Sequence, residues 1–201
     1  LTSVLVRSGT EVGVSSEVKV KGSGFEYTKK YIVDRYGRET FDRILSQMPA
    51  EAARAVDHSI PSSWYPVQYA GDLANGIKRV LGGSQKHPIF EISKEGAKAT
   101  FSLIYKMFFR LGSPGFILDR VTSVWKNMST AGELSVVERG DKFVVVRLKN
   151  FPYKNPDYCG ERLRGWFHAT LELSGCDMVK SVHTRCTSNG SDCCEWRFEW
   201  K

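Results

Sequence analysis

The stretch "DMVKSVHTRCTSNGSDCCEWRFEWK" (177–201) decides how this chain is read. Its end alternates strictly, with Cys194, Trp196, Phe198 and Trp200 on one face and Glu195, Arg197 and Glu199 on the other. That period of two is the signature of a strand with one buried face. The turn-forming "NGSD" ahead of it makes the whole stretch a hairpin. Working back, "DYCGERLRGWFHATLELSG" (157–175) carries helical spacing and is closed by Gly175. Before that, "GELSVVERGDKFVVVRLKNFP" (132–152) reads as a second hairpin through "RGDK". The last third therefore runs strand, strand, helix, strand, strand.

The front of the chain has a different period. "FEYTKKYIVDRYG" and "RETFDRILSQM" place Phe25, Ile32, Tyr36 and then Phe41, Ile44, Leu45 at spacings of three and four, as amphipathic helices do. Pro49 opens a further short helix, "SIPSSWYP" reads as a loop, and "VQYAGDLANGIKRVLGG" predicts a helix closed by glycine. Two more helices are predicted over 93–111 and 114–130. Residues 1–22 read as a short strand pair, "VLV" with "VKV". The expectation is an α+β fold, a helical N-terminal half packed on an antiparallel sheet, in one domain over 1–201: a strand pair over 1–22, a helical part over 23–131 and a β-β-α-β-β part over 132–201.

The composition, 41% hydrophobic and 25% charged, is that of a globular chain. The formal charge of +7 invites a nucleic-acid partner, but the basic residues are interleaved with acids and form no block, so a solvated surface is expected and no direct nucleic-acid contact. The longest apolar run, "ATFSLIYKMFF" (99–109), is broken by Lys106 and falls short of the roughly 20 residues of a bilayer span. No membrane span is expected. The alternating N-terminus lacks the shape of a secretion signal, which makes a cytoplasmic location the expectation.

Chemistry concentrates in the cysteines, three of the five lying between Cys186 and Cys194 with His183 just upstream. Cys159 shares a helical face with Leu163, Trp166, Phe167 and Thr170, so it points toward the hairpin. Thiolates and imidazole are good zinc ligands, but the gap from Cys186 to Cys194 exceeds the usual knuckle spacing. From the residues alone, a zinc site, buried inert thiols, a disulfide and a redox switch all stay open. Elsewhere, His58 in "DHS" sits beside Asp57 and Ser59, and neighbours in sequence cannot assume triad geometry. His87 precedes a proline in a loop, and His168 shares a face with Glu161, Arg164 and Glu172 and reads as solvated. Neither a phosphate-binding glycine loop nor a nicotinamide fingerprint is present, and no enzyme is expected.

From about Gly132 onward the chain resembles the V4R (4-vinyl reductase) domain, and the preceding helices with "SSWYP" and "YKMFFRLGSPGFILDR" resemble the bacterial DUF2378 family. These are similar in fold to TRAPP tethering subunits and to aromatic-sensing activator domains. The resemblance implies an apolar ligand chamber, a tendency to dimerise, and one structural zinc held by Cys159, His183, Cys186 and Cys194, with His183 standing where those sensors carry a carboxylate. Phe101, Tyr105, Phe108, Trp125 and Trp166 are the candidate chamber residues. The function expected is a non-enzymatic sensor for a small apolar or aromatic molecule. A scaffold acting through protein contacts, as a homodimer or with a protein partner, is the alternative, and a thiol redox sensor the third reading.

Overall fold

The structure, a computed structural model, describes residues 17–100 and 118–201. Four helices lead: α1 (Ser23–Tyr36), α2 (Arg38–Leu45), α3 (Ala50–Asp57) and α4 (Val67–Leu81). Each buries the stripe its spacing predicts. Phe25 and Ile32 of α1, Phe41 and Ile44 of α2, and Leu73 and Ile77 of α4 are all fully enclosed.

Helix α5 (Pro88–Thr100) begins five residues ahead of the predicted start at 93. Pro88 occupies the first helical position, where a missing N–H costs nothing and the fixed φ is already helical. Of the predicted helix over 114–130, α6 (Val121–Met128) is observed, and the residues up to 117 lie outside the described ones.

The strand "VKV" exists, but its partner is not the one expected. Strand β1 (Lys19–Lys21) pairs antiparallel with β2 (Trp64–Pro66), inside the stretch expected to be a loop, while "VLV" lies outside the described residues. The pairing is reinforced by Lys21, whose Nζ donates to Ser62 O at 2.8 Å and sits 4.1 Å above the Trp64 ring. A bridge from Val20 to Ser129 then ties β1 to the end of α6.

The C-terminal part follows the predicted order. Strands β3 (Glu133–Gly140) and β4 (Phe143–Lys149) form the first hairpin, β5 (Met178–Arg185) and β6 (Cys194–Trp200) the second. They assemble as one antiparallel sheet, β3-β4-β6-β5, in which Val144, Val146 and Leu148 lie opposite Phe198, Trp196 and Cys194. All six are buried against the helix between the hairpins. That helix is not uniform: a π-helical turn (Tyr158–Leu163) leads into α7 (Arg164–Leu173). Phe167 of α7 meets Trp196 at 5.2 Å and Phe198 at 6.1 Å between ring centroids. No helix of the described residues is long and apolar enough to cross a membrane.

Candidate functional site

The π-helical turn presents two faces. Cys159 points to the sheet, where its carbonyl accepts the indole N–H of Trp196 at 2.9 Å. Tyr158, Arg162, Leu163 and, one turn on, Trp166 point to the helices and wall a cavity. The opposite wall comes from Val20 and Lys21 of β1, Gly24 and Thr28 of α1, Ala70 of α4, Ile92, Ser93 and Ala97 of α5, and Trp125 and Met128 of α6. The cavity volume is ≈ 70 Å³, and the recess is partly open to solvent.

Two of the walls are fixed by polar bonds. Trp125 donates its indole N–H to the carbonyls of Ala131 and Gly132 at 2.9 and 3.1 Å, and its ring packs edge-on to Phe151. Ser93 donates to the carbonyl of Arg162 at 2.7 Å, joining α5 to the π-helical turn. Burial raises the pKa of the Tyr158 phenol, which therefore stays a neutral donor at the cavity wall. Burial also lowers the pKa of the Arg162 guanidinium from its usual range.

On the other side of the turn lies a thiol cluster. The ligating atoms of His183, Cys186 and Cys194 fall within 4.8 Å of one another, and Cys159 reaches Cys194 by a side-chain hydrogen bond. A bulge between His183 and Arg185 re-aims this part of β5, and the His183 ring stacks on Trp196 at 5.2 Å. Hydrogen bonds from Cys159, His183 and Thr187 hold the Cys194 sulfur well below the usual thiol range against the opposing effect of burial, while the bond to Cys194 and burial push Cys159 up. All five cysteines are unpaired and buried, including Cys176 and Cys193.

Of the five predicted chamber residues, Trp125 and Trp166 lie on the cavity wall, and Phe101, Tyr105 and Phe108 lie outside the described residues. Arg162, Thr28 and Tyr158 were missed by sequence reasoning. The position of Arg162 one residue before Leu163 on a helix with an inward face is the only signal that could have found it. His168 is not solvated. Its ring lies edge-on to Phe90 at 5.4 Å, and its Nδ1 is buried with no partner among the described residues.

No family model matches the chain, and no curated protein matches it. Solved structures do. An H-NOX protein from S. oneidensis in the Fe(II)NO ligation state is similar over 90% of this chain and 99% of its own, with a TM-score of 0.60 and 13% identity. An H-NOX structure in which haem distortion was probed covers 90% and 95%, with a TM-score of 0.61 and 15% identity. An oxygen-binding H-NOX domain related to soluble guanylate cyclases, in its oxygen complex, covers 90% and 95% at 0.58 and 14%. The chain therefore shares the H-NOX fold.

This corrects the V4R, DUF2378 and TRAPP-like assignment, whose helix-over-sheet outline the H-NOX fold also has. The structural zinc at Cys159, His183, Cys186 and Cys194 goes with the resemblance that implied it, because the metal group named for these neighbours is haem iron.

Haem iron in proteins is held by His, Cys, Met or Tyr. All four histidines and all five cysteines are among the described residues, and none lines the cavity. His58 is exposed, His87 pairs with Glu161 at 2.9 Å, His168 packs on Phe90 and His183 on Trp196. The ligating types on the described wall are Tyr27, Met128 and Tyr158, and Tyr105 and Met107 lie outside the described residues. The donor set does not fit a haem held by histidine or cysteine.

Proposed function

We propose that this chain is a non-enzymatic sensor domain of the H-NOX fold that has kept a ligand chamber and takes a small, mainly apolar organic molecule in it. The observation that carries the reading is the cavity between the helical half and the π-helical turn, walled by Trp125, Trp166, Met128, Ile92 and Leu163. A scaffold acting only through its surface has no use for unfilled volume in its interior, since each void forfeits packing energy. Here Trp125 packs edge-on to Phe151 and Trp166 edge-on to Phe167, while both line the cavity. Small-molecule sites are concave and apolar with a few placed polar groups, which describes this wall with Thr28, Ser93 and Tyr158 set into it.

The wall is made by segments far apart in sequence, from β1 and α1 to α7, so an occupant bridges the two halves of the chain. Binding then favours whichever arrangement of α1, α5 and α6 on the π-helical turn fits the occupant, and the shift is passed to the surface as a change in population. Filling the cavity tests this. Ala97 is buried on the wall, and Ala97→Leu is expected to abolish retention of co-purifying small molecules in native mass spectrometry while the protein stays folded. Undiminished retention in a folded Ala97→Leu protein would overturn the reading.

A further inference from the structure

The charge inside the chamber is one-sided. Lys21 and Arg162 line it, and no aspartate or glutamate does among the described residues. Arg162 is enclosed by protein yet keeps some accessible surface, as expected of a guanidinium whose free edge faces the cavity. Its bonds go to neutral oxygens: Nη1 donates to Thr28 Oγ1 at 3.2 Å and Nη2 to Gly24 O at 3.0 Å. A guanidinium has five N–H donors, so part of its capacity is left for another group. Gly24 leaves room for it, because a Cβ there would lie 3.0 Å from Nη2.

Every carboxylate side chain of the protein except Glu11 belongs to a described residue, and none forms an ion pair with Arg162. The segment 101–117 contains neither aspartate nor glutamate. Elsewhere several helical cations pair with acids: Lys78 with Asp157 at 2.9 Å, Lys98 with Glu172 at 2.6 Å, Arg38 with Asp57 at 2.8 Å. Arg164 is the instructive comparison. It also lacks an acid partner among the described residues, but it clamps the carbonyls of Gly160 and Ser181 and lies 4.3 Å from the Phe90 ring, away from the cavity. Among the described residues, only Arg162 combines partial burial, neutral partners and an edge on the chamber.

A buried charge without a counter-charge is costly, and an anion entering the site removes that cost. The geometry points to a small organic monocarboxylate as the occupant, its carboxylate on Arg162 beside Thr28 and its apolar body against Trp125, Met128 and Trp166. This rests on the chamber reading above and deepens it. One buried cation calls for one negative charge, the tryptophan and methionine wall calls for a hydrocarbon body, and the limited room excludes anything large. Tyr158 adds a neutral hydroxyl donor on the same wall. Lys21, tied to Ser62 O and Trp64, adds positive potential that draws anions in.

Calorimetric titration of the whole chain with butyrate and benzoate, each beside its neutral amide, tests the inference. The carboxylates are expected to bind about tenfold or more tightly than the amides, the order expected for charge-assisted hydrogen bonds to a guanidinium. In Arg162→Met the preference is expected to vanish, and the ligand-free variant to melt no lower than wild type, since a buried charge has been removed. Arg162→Lys, which keeps the charge without the planar fork, is expected to retain part of the preference and serves if the methionine variant does not fold. Equal binding of acids and amides by wild type would overturn the role of Arg162 and leave the chamber reading intact. Binding of none of the four would overturn both.

Discussion

A single histidine shows how far a residue's surroundings outrun its place in a pattern. His168 sits on the polar side of its helix in sequence, yet in the fold α5 covers it, with Phe90 against the ring and Glu172 Oε1 3.4 Å from Nε2. Burial pushes the imidazole below its ordinary pKa, and the nearby Glu172 carboxylate only partly opposes this. The unfolded chain takes up this proton near pH ~6.5, whereas the folded chain resists it to lower pH. The unfolded state then binds more protons, so the contribution of His168 to stability is complete above pH ~6.5 and falls as the pH drops through the window below. His168→Phe, which keeps the ring contact, should lose less melting temperature than wild type between pH ~7 and ~5. An identical loss in the two proteins would show that His168 does not titrate in this window.

Between elements, the decisive contact is made by a residue with no side chain. Gly165 opens the first turn of α7 under α5, and a Cβ there would lie 2.6 Å from the carbonyl oxygen of Phe90 and 3.0 Å from Ser93 Cβ. The close approach of the two helices sets the depth of the chamber, because α5 brings Ile92, Ser93 and Ala97 to one wall while the π-helical turn and α7 bring Arg162 and Trp166 to the other. Gly165→Ala forces them apart and should destabilise the fold by about 1–3 kcal/mol, the usual cost of overpacking, seen as a lower midpoint in chemical denaturation. An unchanged midpoint would mean that the α5 to α7 spacing is freely adjustable. The π-helical turn acts at the same scale. It ends at the start of α7 and divides one continuous helical segment between two tasks, Cys159 toward the sheet and Arg162 toward the chamber.

At the scale of the whole molecule, the chain shares its fold with haem-bearing H-NOX structures while placing its histidines and cysteines away from the chamber. A shared fold does not by itself carry its neighbours' cofactor, since function resides in a site carried by a fold. Titration of the purified protein with hemin should give no stoichiometric complex with the absorption spectrum of a histidine- or thiolate-ligated haem. Such a spectrum at one equivalent would show that the chamber rearranges to recruit a donor from outside its wall.

Period and turn chemistry made the outline legible without coordinates. The alternation of Cys194, Trp196 and Phe198 could only be a strand with one buried face, and the stripe through Phe25 and Ile32 only an amphipathic helix; both are local patterns that a neighbour hardly alters. The aim of Cys159 toward the hairpin was legible too, but not the company it was given: Leu163 and Trp166, read on the same face, line the chamber instead. What depended on distant segments was not. The partner of "VKV" turned out to be Trp64–Pro66, because strand pairing is chosen by tertiary proximity and not by nearness in sequence. The likeness to V4R was overturned because an order of helices and strands is shared by more than one fold, and only their packing distinguishes them. Arg162 reads in sequence as one more surface cation in "GERLRG". Only the closing of α1 and α5 over the π-helical turn encloses it beside Thr28 with no acid in reach among the described residues, and that enclosure turns an ordinary arginine into the chemical focus of the chamber.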